Sequence, residues 1–510
     1  AILTREGVSL NTCDISADEI AIKSYGQGAT LINCTRGGGV DLNGGTLIEE
    51  SYTNSIPEFN TVYDRVRKPL RTELFNVKDY GAVGDGGNDD TFAIQAAIAD
   101  AYVNGGGVVF VPNGQYVVKT NLVLAPGVEL RRSSGGRHIA SGKNGQELGS
   151  VILIDDVGKG DTNAPPFLAL DDYCGLRGIA FHYVNQDFRS FIPYPYMVQA
   201  NGVKNYIIDC FASNPYQAAE LNGDDHLVEY TFFGGLRSTY RANNCSGGRI
   251  QNCHIKPDFW RDYWLGNNNP KSDLGELKWN VGKELEVFYL NGCSDYSIAS
   301  IFNHASHAFF TADNSSGQTL CIGGEQLQKG YTFKNGAKDF DLISASCNIN
   351  NIGDGSGMYG VKTLDGFSGQ ARFYESGVQG APKESWAAEG GELYIQRGGA
   401  SGPSDRGAVG LFCGPNGKMA LESFSSNIYL GFENQGLVTM RDAVFSKGFV
   451  SSVASEYAAG NSFDSSCILA DLNAYPAVTY GLSLDMSNIR IVDALIFPGL
   501  TAAEDSDDAR

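Results

Sequence analysis

The sequence predicts an all-β protein built as a right-handed parallel β-helix, and three observations carry this prediction. The chain of 510 residues is 42% hydrophobic and only 19% charged, which indicates a folded protein. It contains 64 Gly, 25 Tyr and 27 Phe but 5 Met, a composition typical of strands and turns rather than of helical bundles. A short phrase with a central Asn recurs about every 21 residues in the middle of the chain, and a repeat of that length indicates a solenoid.

The repeat consists of an apolar or small residue, Asn, usually Gly, a few variable residues and then an apolar pair. Its Asn residues are 21 to 23 positions apart, with one gap of 48, and stand at Asn201, Asn222, Asn243, Asn291, Asn314 and Asn335. One unit cannot bury its own apolar face, so we expect coils that stack at the strand spacing of about 4.8 Å. We expect the Asn side chains to stack at a turn that tolerates left-handed backbone. Cys245 and Cys293 share one repeat position and are expected to be small interior residues rather than a disulfide.

Changes of pattern divide the chain into three parts. Residues 1–74 contain short Gly-punctuated β patterns and form a leading β segment. Residues 75–365 form the β-helix, which begins with a capping helix from Thr91 to about Asn104 whose N-cap is Asp89 or Asp90. In residues 366–510 the Asn period fades, and strands joined by Gly, Ser and Pro turns predict irregular coils or a β-sandwich.

A family resemblance lies in the first part of the β-helix. Residues 75–98 read FNVKDYGAVGDGGNDDTFAIQAAI, followed by GGGVVFVP at 105–112 and GQYVV at 114–118. This stretch resembles the opening of the pectate-lyase-like right-handed β-helix proteins, a group with phage tailspikes, exo-glucanases, polyuronate epimerases and fructan-converting enzymes. The preceding DRVRKPLR, residues 64–71, is similar to the lead-in of phage tailspikes. The resemblance implies a carbohydrate partner but transfers no catalytic residue, and the polygalacturonase signatures Asn-Thr-Asp and Gly-His-Gly are absent.

The long gap in the repeat predicts an insertion at residues 256–284, where three of the four Trp of the chain fall. Sugars present flat apolar faces ringed by hydroxyl groups, so a sugar site combines aromatic rings with charged groups. We therefore expect substrate-binding roles for Trp260, Arg261, Tyr263 and Trp264. The alternative is a loop whose aromatic residues anchor it to the flank of the solenoid.

Candidate catalytic carboxylates lie in this insertion and in the coil before it. Glycoside hydrolysis needs two carboxyl groups about 5 to 9.5 Å apart, and residues one or two coils apart reach such distances. The candidates are Asp225, Glu229, Asp258 and Asp262. Glu229 stands where other coils place aliphatic residues, so either the register slips and Val228 points inward, or a carboxyl group is partly buried with a raised pKa. Asp224 and Asp225 have turn formation as their alternative role.

Two other classes of function stay open. A polysaccharide lyase or uronate epimerase would use His304, His307, Arg261 or Tyr263, and a glycan-binding tailspike or adhesin would have no catalytic residue. We expect no cofactor, although calcium bound by Asp224, Asp225 and Asp258 is conceivable. The leading prediction is a glycoside hydrolase that cleaves a polysaccharide or oligosaccharide.

Charge and cysteine content restrict the partners and the location. A net charge of −20 argues against nucleic acid, and no apolar run is long enough to insert in a membrane. Eleven scattered Cys give neither a disulfide framework nor a zinc motif. The tailspike-like lead-in and the exposed ends of a solenoid, which need capping, predict a secreted or virion-associated protein, with a homotrimer as an open alternative for its assembly.

Overall fold

The structure, a computed structural model, describes residues 67–132, 149–262, 275–350, 357–380, 384–401, 410–426 and 436–440 in full, together with residues 56–59, 352 and 443. Elsewhere it gives only the bounds of some strands and of one helix. Six strands precede the main body and pair in parallel within two three-stranded sheets. They are Ile2–Thr4, Val8–Asn11, Asp14–Ser24, Gly28–Ile32, Thr35–Asp41 and Thr46–Glu50.

From residue 74 onward the chain winds through three parallel sheets, named A, B and C in the order in which one coil visits them. Sheet A contains Leu122–Leu124, Leu168–Leu170, Tyr196–Ala200, Gln217–Leu221, Ser238–Asn243, Glu286–Asn291, Tyr359–Thr363, Leu430–Asn434 and Phe449–Val453. Sheet B contains Leu74–Asn76, Gly107–Val111, Val128–Arg132, Gly175–Arg177, Tyr206–Ile208, Leu227–Glu229, Phe340–Ile343, Gln370–Tyr374, Leu437–Arg441, Asn461–Asp464 and Ile489–Val492.

Sheet C contains Asp85–Asp89, Gly114–Val118, Ser150–Ile154, Ala180–Tyr183, Phe211–Ala212, Phe232–Phe233, Ser346–Ile349, Gly377–Gly380, Gly399–Ser401, Ser425–Ser426, Val444–Phe445 and Ile468–Leu469. Five longer strands turn a corner and take part in two or three sheets: Arg249–Ile255, Tyr296–Asp313, Gly317–Lys334, Glu384–Gln396 and Val409–Glu422. Each strand pairs in parallel with the strand of the next coil. The architecture is the predicted parallel β-helix.

The interior is lined by aliphatic residues in register from coil to coil. In sheet B, Ile207 pairs with Val228, Val228 with Ile250 and Ile250 with Ile298, and all four side chains are buried. Each such side chain contributes about 1.5–3 kcal/mol to stability through removal from water. Because Val228 holds the interior position, Glu229 points away from the core, and the register slip considered from the sequence is the correct alternative.

The predicted Asn stack is present. The Asn222 amide donates to Asn201 Oδ1 at 2.9 Å, and the Asn243 amide donates to Asn222 Oδ1 at 3.0 Å. The predicted left-handed backbone is wrong for these three residues, because none of them has a positive φ angle. Positive φ angles occur instead at other Asn residues, among them Asn314 and Asn335. The stacked residues therefore gain from amide hydrogen bonds between coils rather than from left-handed backbone. In the coil of Asn314, Asp313 takes the ladder position, opposite Asn291.

The predicted helix is present as helix α1, Thr91–Val103. Asp89 Oδ1 accepts a hydrogen bond from the Thr91 N–H at 3.0 Å, whereas the Asp90 carboxylate binds the backbone of the preceding turn. Helix α1 stands between a sheet C strand and a sheet B strand, where later coils have a sheet A strand. Its Ala and Ile residues are buried against the first coils; that it closes the end of the solenoid stays a prediction. A 3₁₀ helix, Val77–Tyr80, precedes it.

Parallel pairing continues past residue 365, so the described part of residues 366–510 forms further coils rather than a β-sandwich. The division of the chain into three domains stays a prediction. Two further helices, α2 at Asp258–Trp260 and α3 at Lys271–Glu284, lie in the predicted insertion. Within the described residues, we find no helix with the length and apolar character needed to cross a bilayer.

Candidate functional site

The long loops leave the solenoid at one corner, between sheet C and sheet A. They comprise residues 155–167, 184–195 and 256–285. The Gly160 N–H donates to the Pro193 carbonyl at 2.7 Å, and the Asn280 amide donates to the Arg189 carbonyl at 3.1 Å. The Phe188 and Trp260 rings meet edge to face, 6.0 Å apart. These contacts join loops from different coils into one wall along the corner.

Beside this wall, the outer face of sheet C changes character along the solenoid. One repeat position faces outward and is occupied in successive coils by Ala180, Phe211, Phe232, His254, Phe302, Gly323, Ser346 and Gly377. Phe259 of helix α2 packs over the first aromatic residues, with ring centroids 5.6 Å from Phe211, 6.2 Å from Phe232 and 5.2 Å from His254. We call residues 180–254 of this column, with Phe259, the covered half, and residues 302–377 the open half.

The open half is a groove of about 600 Å³. Its floor is low because Gly323, Ser346 and Gly377 replace the aromatic residues of the covered half, and the 44% exposed ring of Phe302 stands at one end. A second outward position, two residues further along each strand, lines the groove with polar side chains: Glu325, Asn348, Gln379 and Ser401. Hydrogen-bonding groups therefore repeat at the coil spacing of about 4.8 Å, next to an aromatic surface.

A cluster of charged groups lies where the insertion meets this polar column. Lys256 Nζ is 3.3 Å from Asp258 Oδ2 and 3.4 Å from Asp262 Oδ2. Arg261 Nε donates to Asp262 Oδ1 at 2.8 Å. His304, which pairs with Glu325 of the groove, has its Nδ1 3.5 Å from Asp258 Oδ2. The cluster therefore lies next to the groove, because His304 and Glu325 occupy the same position in neighbouring coils.

Asp258 is the buried centre of the cluster, with a side chain 5% exposed. Burial raises the pKa of its carboxyl group, but a hydrogen bond from His304 and the charges of Lys278 and Lys256 outweigh burial and hold the pKa below its ordinary value. Asp258 is therefore ionised at neutral pH. Its buried Oδ1 accepts no hydrogen bond from the described residues.

Two histidines of the corner face lysines. Lys278 Nζ of helix α3 is 3.3 Å from His304 Nε2, and Lys329 Nζ is 3.1 Å from His307 Nε2. An ammonium group only donates, so each Nε2 accepts and carries no proton in this arrangement. The carboxylate of Asp258 lies at the Nδ1 side of His304, where it favours the tautomer with the proton on Nδ1. His304 thus lies between a carboxylate on its Nδ1 side and a cation on its Nε2 side.

The sequence-predicted carboxylates lie at different corners of the coil. The side chain of Asp258 meets that of Asp262 through Lys256, as described above. Asp225 lies at the corner from sheet A to sheet B with φ of 58°, which fits its alternative role as a turn residue. Glu229 ends a sheet B strand and accepts a hydrogen bond from the Gln251 amide at 2.8 Å. Of the four predicted carboxylates, the structure brings Asp258 and Asp262 together at Lys256 but not Asp225 or Glu229. A catalytic role for any of them stays a prediction.

The predicted sugar-binding residues also separate. Trp260 is 3% exposed and packs in the core, so the anchor alternative describes this residue and its ring offers no face to a ligand. Arg261 is partly exposed beside Asp262, and its role in binding stays a prediction. Tyr263 and Trp264 lie outside the described residues.

Calcium binding by Asp224, Asp225 and Asp258 together does not fit this geometry. Asp224 and Asp225 lie after the end of a sheet A strand, whereas Asp258 lies before the start of the next sheet A strand. The two positions are therefore at opposite ends of sheet A, which is about 16 Å wide along its strands. In the part of the chain that the structure describes, no three His, Cys, Asp or Glu side chains converge on a point that suits a metal ion.

Sequence reasoning missed Lys278, Lys329 and Glu325. A signal existed for Glu325, because it follows His304 by 21 residues and His304 follows Lys256 by 48, the spacings seen between Asn residues of the repeat. For Lys278 no periodic signal exists, because it lies on an insertion helix outside the repeat.

Comparison with known proteins agrees with this fold. Residues 74–235 match the family model described as rhamnogalacturonase A/epimerase, pectate lyase-like. Residues 74–235 of the parallel β-helix are thus similar to pectate-lyase-like domains. The tailspike of Acinetobacter phage vb_AbaP_AS12 is a structural neighbour at 9% identity, with a TM-score of 0.46, over 78% of this chain and 62% of that one. The A-module of mannuronan C-5 epimerase AlgE4 from Azotobacter vinelandii aligns at 14% identity, with a TM-score of 0.34, over 75% of this chain and 96% of that one.

Curated relatives match over short stretches. Mannuronan C5-epimerase AlgE3 of Azotobacter vinelandii is 42% identical over 88 residues, which is 17% of this chain and 4% of that protein. Alginate lyase 7 of the same organism is 61% identical over 60 residues, 12% of this chain and 7% of that protein. Plasmin and fibronectin-binding protein A of Streptococcus pneumoniae is 50% identical over 97 residues, 19% of this chain and 13% of that protein. The chain thus spans a small part of the length of these relatives.

Proposed function

We propose that the protein modifies an acidic polysaccharide by removing the proton next to a uronate carboxylate, as a lyase or a C5-epimerase. The observation that carries this proposal is the position of His304, between Asp258 and Lys278 at the edge of a polar groove. A base for this reaction must be unprotonated and must lie beside cations that neutralise the carboxylate of the sugar. The sequence alone predicts a glycoside hydrolase, but the geometry around His304 favours the alternative, a lyase or an epimerase.

In the proposed reaction, the uronate carboxylate draws Lys278 and Lys256 toward itself. The lone pair on His304 Nε2 is then free to take the C5 proton, and the lysines stabilise the negative charge that develops on the carboxylate. Asp258 stabilises the imidazolium that forms. A lyase completes the reaction when the C4–O bond breaks and the departing glycosidic oxygen takes the proton from the His304 imidazolium, which leaves a C4–C5 double bond. An epimerase returns a proton to the opposite face of C5.

Two further observations support this class of reaction. The relatives include mannuronan epimerases and an alginate lyase, although the shared stretch is short. The net charge of the chain is negative, but the lysines and Arg261 outnumber the carboxylates within the cluster, which suits an anionic sugar.

The test is a screen of polyuronates and neutral polysaccharides with wild type and His304→Asn. We expect turnover of a polyuronate, seen as ultraviolet absorbance of an unsaturated product or as deuterium at C5 in heavy water. The His304→Asn variant should lose about 10²- to 10⁴-fold in kcat, and Lys278→Met should lose activity mainly on the charged substrate. Glu229→Gln, at another corner of the coil, is the control and should keep full activity. Full activity of His304→Asn, with circular dichroism like that of wild type, would refute the proposal.

Glycoside hydrolysis by Asp258 and Asp262 is the second candidate. Both carboxylates contact one lysine Nζ, a separation compatible with the spacing of about 5 to 9.5 Å used by glycosidases. New reducing ends without unsaturated product, lost in Asp258→Asn and Asp262→Asn, would favour this candidate. Glycan binding without turnover would instead indicate an adhesin or a non-catalytic tailspike.

We also propose that the protein works outside the cytoplasm, secreted or on a virion, because its partner is a polysaccharide. A homotrimer remains a proposal that rests on the tailspike-like lead-in. Light scattering of the purified full chain distinguishes a trimer from a monomer.

A further inference from the structure

Two cysteines of neighbouring coils lie in contact. Cys245 Sγ and Cys293 Sγ are 3.5 Å apart, and both side chains are at most 2% exposed. The backbone is in register at this point, because Ser246 forms a parallel bridge with Ser294 and the Ser294 N–H donates to the Cys245 carbonyl at 3.0 Å. Neighbouring coils are about 4.8 Å apart, which lies within the Cα separation of about 4.4–6.8 Å found in disulfides. The backbone therefore permits a disulfide without movement of either coil.

The surroundings make Cys293 the more reactive thiol. The contact between the two thiols, in which either sulfur can donate, lowers the pKa of Cys293. Burial opposes this shift, whereas backbone N–H groups and the charge of Lys338 assist it. Lys338 Nζ donates to the Cys293 carbonyl at 3.0 Å and to the Gly292 carbonyl at 3.3 Å. A cation near a thiol favours the thiolate, the form that attacks disulfides.

These cysteines also flank the insertion. The chain leaves the coil of Cys245, passes through Lys256, Asp258 and helix α3, and returns in the coil of Cys293. A bond between the two sulfur atoms would close this whole segment into one loop. In the unfolded chain such a loop restricts the conformations of the insertion, and the stabilisation grows with the length of the loop.

We propose that Cys245 and Cys293 form a disulfide between coils when the chain folds in the presence of a small-molecule or protein disulfide. The Cys293 thiolate attacks one sulfur of that oxidant and releases its first thiol. Cys245 then loses its proton and attacks Cys293 Sγ in the mixed disulfide, which releases the second thiol. The two cysteines lose two electrons and two protons in total, and the oxidant gains them as two thiols. Because both sulfur atoms are buried in the finished solenoid, the exchange takes place during assembly, after the two coils have paired around Cys293 and before the sulfur atoms are covered.

The test compares the full chain refolded with oxidised glutathione and with excess reductant. Each sample is unfolded without further reductant, alkylated, digested and mapped by mass spectrometry. We expect two fewer alkylated cysteines in the oxidised sample and a cross-linked peptide that contains Cys245 and Cys293. Alkylation of all eleven cysteines, or a cross-link confined to other cysteines, would overturn the proposal.

A second measurement separates this bond from a merely packed pair. Reductant should lower the midpoint of thermal unfolding of the oxidised wild type by several degrees and should have no such effect on the Cys245→Ser/Cys293→Ser double variant. Cys347→Ser, which alters a buried cysteine of another coil, is the matched control and should keep the dependence on reductant. If the double variant does not fold, the peptide map of the wild type decides alone. Polysaccharide turnover is not part of this test, so failure here leaves the proposed function untouched.

Discussion

The covered and open halves of sheet C share one backbone and one repeat position but differ in the size of one side chain per coil. Phe211 and Phe232 fill the covered half and pack beneath Phe259, whereas Gly323 and Gly377 leave a groove in the open half. The difference teaches that the solenoid needs its inward aliphatic residues for stability, while its outward residues vary and determine whether the surface of a coil is covered by helix α2 or left open as a groove.

The largest difference between the covered and open halves is expected in the loss of stability when an aromatic side chain is truncated to Ala. Phe259→Ala removes a buried ring that contacts three others, so it should lower the free energy of unfolding by about 3–5 kcal/mol. Phe302→Ala removes a half-exposed ring and should cost about 1 kcal/mol or less, while it weakens glycan binding. Denaturant unfolding and glycan titration of the two variants check this contrast. Equal losses of stability would mean that the open half is part of the core.

A smaller effect is expected when the open half is converted toward the covered half. A Cβ at Gly377 would meet no atom within 4 Å, and its φ is not in the left-handed region, so Gly377→Phe should fold normally and fill the groove. We expect at least a tenfold rise in KM or Kd, about 1.4 kcal/mol. Gly377→Ala is the matched control, because a methyl group leaves the groove open. Unchanged affinity of Gly377→Phe would exclude the groove as the binding surface.

The smallest effect is expected at the boundary between the halves, where Asp258 precedes Phe259. The folded state lowers the pKa of Asp258, so its stabilising contribution is present above the unfolded pKa of about 3.9 and is lost as pH falls through the lower folded pKa. Asp258→Asn should be less stable than wild type at pH 6, and the gap should narrow below about pH 4. Unfolding free energies measured between pH 3 and 6 check this. A gap that stays constant with pH would show that the ionised carboxylate is not stabilised by the fold.

Part of the candidate site could be found from the periodicity that the sequence displays. The spacings that relate Asn243 to Asn291 also relate Lys256 to His304, so their position on a common column was predictable. The contact of Lys278 with His304 was not, because the path of helix α3 back to the solenoid is set by packing rather than by a repeat. The burial of Trp260 was likewise hidden, because its partner Phe188 belongs to a loop of an earlier coil.

The sequence by itself determined the parallel β-helix, the Asn ladder, helix α1 and the position of the insertion, because each depends on local pattern and on repetition that every coil obeys. Only the tertiary structure decided that Val228 rather than Glu229 faces the core, since one residue of register turns every side chain of a strand over. It also decided which carboxylates meet, because Asp225 and Asp258 leave the coil at different corners. Periodicity specifies the coil, but contacts between insertions depend on how loops of different coils pack against each other.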